Sequence, residues 1–147
     1  MLNVELLQKA KQWILEHPEH LDMDYGITRT SCGTAACIAG TLCMLNAPVP
    51  VEEILERQEP WDCWSESVET QGRTPYEGKW FPIRDRAMEL LGITKESAAD
   101  KLFQLSYWED GYRRYYREAV NSQERARVVA DYIDGFIVLV QEGAIAI

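Results

Sequence analysis

Apolar side chains recur three and four residues apart along much of this chain, the spacing of a single helical face. Leu6, Leu7, Ala10, Trp13 and Ile14 make the first such stripe. Asn3 precedes it as an N-cap and Glu5 lies in its first turn. His17-Pro18 closes it, because a residue before proline avoids the α region. These signals predict a first helix over about 4–16. A second helix is predicted over about 34–46, capped by Thr34, with Ala35, Ala39 and Cys43 on one face and Ala36 and Gly40 beside them. Such a stripe of small side chains lets another backbone approach closely, the mark of a central buried helix.

Pro48-Val49-Pro50 interrupts the pattern, and Pro50 suits the first position of a short helix carrying Ile54 and Leu55. Residues 59–81 show no period and read as a long irregular loop. Periodicity then resumes. Ile83, Ala87, Leu90 and Leu91 follow Pro82 and end at Gly92; Ala98, Ala99, Leu102 and Phe103 follow a Thr94 cap. A further helix is expected over about 112–120. Asn121 with Glu124 then reads as a capping box ahead of a last helix with Ala126, Val129, Ala130, Ile133, Phe136, Ile137 and Val140 on one face. No segment of useful length alternates apolar and polar residues. The predicted fold is therefore all-α: a single helical domain over 1–147, with about six or seven helices around the 34–46 helix.

Charge alters this picture only when it is located. The 147 residues carry 15 Lys and Arg against 24 Asp and Glu, a formal charge of −9. That balance disfavours general binding to a nucleic-acid backbone, which needs clustered positive charge. Between residues 31 and 78 there are 2 basic and 8 acidic side chains, a net of −6. The acids are Glu52, Glu53, Glu56, Glu59, Asp62, Glu66, Glu69 and Glu77, with Trp61 and Trp64 among them. Acid steers a basic partner and tryptophan supplies anchoring area. A solvated loop with one or two tucked tryptophans is the plainer reading. The first twenty residues lack the pattern of a secretory signal, and the longest apolar run, Phe136–Val140, is too short for a bilayer. A cytoplasmic location with no membrane partner is the expectation.

The run Cys32-Gly33-Thr34-Ala35-Ala36-Cys37-Ile38-Ala39-Gly40 resembles a CGTxxCxAG signature of small uncharacterised bacterial and phage proteins. The segments 87–93 and 98–103 look like the second half of the same pattern. The resemblance implies one compact helical domain and brings no assigned reaction.

Four constellations are candidates for chemistry. Cys32 and Cys37 lie near a predicted helix N-terminus, whose dipole favours thiolate, and His17 or His20 is the available base. Packing of small thiols beside alanines is the alternative. The four cysteines and two histidines lack paired zinc-ligand spacing, so no metal and no cofactor are expected. Trp108, Tyr112, Arg113, Arg114 and Arg117 form an aromatic and basic patch, either a stacking surface or an amphipathic helix with its rings in the core. The acidic tryptophan-bearing stretch is the fourth. From these we expect a non-enzymatic factor that binds a protein with a basic face, in the manner of a phage or mobile-element accessory protein. A cysteine-dependent enzyme or thiol sensor using Cys32 is the alternative.

Overall fold

The first helix, α1 (Val4–Glu16), runs as its sequence signals require. Asn3 Oδ1 accepts the Leu6 N–H at 3.1 Å, and His17 ends the helix before a 3₁₀ turn at Pro18–His20. Leu6, Leu7, Ala10 and Ile14 are buried, as the stripe predicted. Our computed structural model describes residues 1–23, 27–30, 33–47, 63–65 and 80–147. Among these are six α-helices and two short antiparallel ladders.

Helix α2 (Ile38–Leu45) is the central one. Every residue from Ile38 to Met44 is buried, and the helix touches α1, α3 (Ile83–Leu91) and α4 (Glu96–Phe103). Its start differs from the expectation. Thr34 lies in a strand, β2 (Gly33–Ala36), paired with β1 (Ile27–Thr30) in the register Ile27↔Ala36 to Thr30↔Gly33. Three of the four residues Ile27-Thr28-Arg29-Thr30 are β-branched, which suits a pleated strand, and its pairing engages the backbone of 33–36 that a helix from Thr34 would need. Cys37 becomes the N-cap instead, with extended backbone and its sulfur accepting the Gly40 N–H at 3.5 Å. Thr41, buried inside α2, is satisfied because its hydroxyl donates to Cys37 O at 2.9 Å.

A second ladder joins β3 (Cys63–Ser65) to β4 (Trp80–Pro82), with Trp64 opposite Phe81. The stretch expected to be irregular over 59–81 is thus tied together near both ends. Pro82 is the last residue of β4 rather than the first of α3.

Helix α3 ends in a Schellman arrangement: the Ile93 N–H reaches Met88 O at 2.9 Å and the Gly92 N–H reaches Glu89 O at 3.2 Å. Gly92 has φ +71°, and a Cβ there would lie 2.6 Å from the Met1 carbonyl oxygen. The chain start is held close by the Asn3 N–H on Leu91 O at 2.9 Å and Asn3 Nδ2 on Leu90 O at 3.2 Å, so Asn3 caps α1 and also satisfies carbonyls of α3. Lys95, not Thr94, is the N-cap of α4 and offers only its backbone. Arg84 pairs with Glu96 and, at 2.6 Å, with Asp100, fastening α3 to α4.

Helix α5 (Asp110–Glu118) follows a 3₁₀ turn at Leu105–Tyr107, and α6 (Ser122–Gln141) packs against α1 and α5. The capping box at its start forms: Asn121 Oδ1 accepts the Glu124 N–H at 2.9 Å, and Glu124 Oε2 accepts the Val120 N–H at 3.0 Å. The buried core draws on residues from Leu2 to Ile145. Among the described residues, no helix is long and apolar enough to cross a membrane.

Candidate functional site

Burial separates the sequence candidates. Cys37 is 7% exposed, and burial pushes its thiol above the ordinary value, outweighing hydrogen bonds from the α2 N-terminus that act in the opposite sense. The helix end that promised a reactive thiolate holds a protonated packing thiol instead. Cys43 is also buried, and its Sγ donates to Ile83 O at 3.5 Å. Cys32 lies outside the described residues. His17 and His20 gather on Trp13: His17 stacks on the indole with centroids 4.6 Å apart, and His20 lies 5.8 Å away. His17 Nδ1 is 3.1 Å from Trp13 O, and His20 Nε2 is 3.6 Å from Glu19. Among the described residues, no three His, Cys, Asp or Glu side chains converge as a metal site would require.

The acidic candidates Glu52, Glu53, Glu56, Glu59, Trp61, Asp62, Glu66 and Glu69 lie outside the described residues. Trp64 is placed by the backbone pairing of β3 alone.

The aromatic and basic patch divides. Trp108 is 2% exposed, so it leaves the candidate surface. Its ring stacks on Tyr132 at 3.9 Å and 16°, and its Nε1 donates to Leu102 O at 3.4 Å. Tyr116 is buried too, and its hydroxyl accepts the Met23 N–H at 3.2 Å. Trp108, just ahead of α5, and Tyr116 within it thus belong to the core, while Tyr112 is half-buried against Tyr132 of α6. Arg113 is engaged by Asp110 and by Ser106 O, while Arg114 sits 5.6 Å from the Tyr115 ring centroid. Arg114 and Arg117 remain exposed.

What the patch does build is a cleft. Tyr112 sits edge-to-face with Tyr132, centroids 5.3 Å apart at 76°. Together with Tyr107, Glu109, Lys101 and Gly135 they line a cavity of about 510 Å³ between α5, α6 and the chain that follows α6. That volume is in the range of small-molecule sites. The Tyr132 hydroxyl donates to Lys101 O, which fixes the ring across the cleft. Burial, then the nearby Glu109 charge and Tyr112, hold the Tyr132 phenol far above the ordinary tyrosine value. Tyr107, Val138 and Leu139 at this cleft are exposed apolar side chains. Tyr132 and Gly135 were not singled out in sequence. The available signal was a glycine inside a long helix, where it costs about 1 kcal/mol relative to alanine.

Comparison of the chain with family models, with curated proteins and with solved structures finds no significant match.

Proposed function

We propose that the chain is a non-enzymatic binding factor that docks on a protein partner with a basic face through its acidic, tryptophan-bearing stretch over 52–77. The observation that carries this reading is the placement of charge. Two-thirds of the net −9 falls between residues 31 and 78, while 79–147 is nearly balanced. A located field of one sign speeds and orients association with a complementary surface. Trp61 and Trp64 supply the anchor side chains that such a contact needs. The β3–β4 ladder supports the reading by joining the Trp64 backbone to the segment entering α3, which reduces the ordering cost of docking. Cys37, the companion of Cys32 in the cysteine candidate, is buried. The partner chemistry that fits is a nucleic-acid-binding face, blocked by charge mimicry, as a phage or mobile-element accessory protein would do.

The test is affinity capture by the intact chain at stepped salt, with the Trp61→Ala, Trp64→Ala double variant alongside. Capture of a basic protein should fall steeply as salt rises, since screening lengths shrink from about 10 Å at 0.1 M to 3 Å at 1 M. The double variant should bind at least about tenfold more weakly with an unchanged circular-dichroism spectrum. Undiminished capture by a folded double variant removes the basis of the proposal.

A further inference from the structure

The α5–α6 cleft plays no part in the acidic-stretch reading, and three observations there converge. The first is room. Gly135 lies inside α6 with a right-handed backbone, and a Cβ added there would meet Tyr112 Oη at 3.6 Å, an ordinary contact distance. Neither conformation nor crowding demands a glycine, so its effect is to keep the cleft open at that point. The second is the walls. The Tyr112 and Tyr132 rings pack edge-to-face on each other at 76° and both border the cleft, beside the apolar Val138 and Leu139. Tyr107, 57% exposed, lines the same space. The third is charge. Glu109 and Lys101 both line the cleft, and neither pairs with the other or with any other described residue.

We infer that this cleft binds a small zwitterion with a flat apolar body, an aromatic α-amino acid, its ring against Tyr112 and Tyr132, its ammonium toward Glu109 and its carboxylate toward Lys101. A purely cationic ligand would bring like charge to Lys101, and a purely anionic one would do so to Glu109. A neutral apolar ligand would leave both exposed charges unanswered. The zwitterion answers all three observations at once.

The test is titration of the intact chain with L-phenylalanine, followed by calorimetry and by nitrogen–proton correlation spectra. Phenethylamine, which lacks the carboxylate, 3-phenylpropionate, which lacks the ammonium, and glycine, which lacks the ring, are titrated in parallel. L-phenylalanine should bind saturably with shifts concentrated in α5 and α6, and each analogue should bind about tenfold more weakly or worse. Glu109→Gln should reduce L-phenylalanine to the affinity of 3-phenylpropionate, and Lys101→Gln to that of phenethylamine. The latter change leaves the backbone carbonyl that holds Tyr132 in place. Gly135→Ala supplies the control for folding: its thermal midpoint should rise, because alanine is the better helix residue, while L-phenylalanine binding weakens about tenfold. Absence of saturable binding to the wild-type chain overturns the inference, as do equal affinities across the analogues or undiminished binding by Gly135→Ala. Because the acidic stretch is tested by different substitutions and a different ligand, either idea can fail alone.

Discussion

Replacing Trp108 by alanine asks whether the ring is core or surface, and the structure gives the expected magnitude. The indole is 2% exposed, so truncation removes nearly all of its burial. At about 25 cal/mol per Å² and roughly 150 Å² lost, the transfer contribution is about 4 kcal/mol. The parallel stack on Tyr132 at 3.9 Å adds about 0.5–1 kcal/mol. The long Nε1 bond to Leu102 O at 3.4 Å contributes about 0.5 kcal/mol. Partial collapse of the void offsets some of this, leaving about 3–5 kcal/mol. Trp108→Phe keeps most of the area and loses the N–H, so about 1–2 kcal/mol is expected. Urea unfolding followed by far-ultraviolet circular dichroism measures both, because that signal does not depend on the indole removed. A double-mutant cycle with Tyr132→Ala should return a coupling of about 1 kcal/mol from the stack. A loss under about 1 kcal/mol for Trp108→Ala, at unchanged denaturant slope, would refute the buried placement and return Trp108 to the surface patch.

Three further outcomes follow from other parts of the molecule. Gly92→Ala forces a side chain into a left-handed backbone at φ +71° and onto the Met1 carbonyl, and should cost about 1–2 kcal/mol in thermal or urea unfolding; an unchanged midpoint would contradict the close approach. Cys37 should resist iodoacetamide at neutral pH in the folded chain and react only under denaturant or at strongly alkaline pH, as peptide mapping by mass spectrometry would show. Tyr132 has its folded pKa raised above the ordinary 10.0, so the folded state holds this proton more tightly; stability should be intact below pH 10 and fall as pH rises beyond it, with Tyr132→Phe flattening that fall.

The helices were largely legible in the chain because their signals are local. Asn3, the His17-Pro18 step, Gly92 and the Asn121–Glu124 pair each set a boundary through their own backbone preferences, and the structure places ends there. The first helix agrees residue for residue over 4–16. The start of α2 was misplaced because its determinant is not local. Thr34 is a good cap in isolation, yet the pairing of Ile27–Thr30 with Gly33–Ala36 engages its backbone first and moves the cap to Cys37. Pro82 tells the same story on a smaller scale, drawn into a ladder by Cys63 rather than opening α3.

Periodicity along this chain determined a helical fold, the caps of α1 and α6 and much of the buried face of its helices, because 3.6-residue spacing and capping chemistry act within a few residues. The total and the location of charge were equally plain in the sequence. Tertiary structure alone decided which polar promise survived. It buried Cys37 and Trp108, and it set Tyr112 on α5 at right angles to Tyr132 on α6. The cleft that results joins side chains from Lys101 to Ile145, and no local pattern records which distant helices will meet around it.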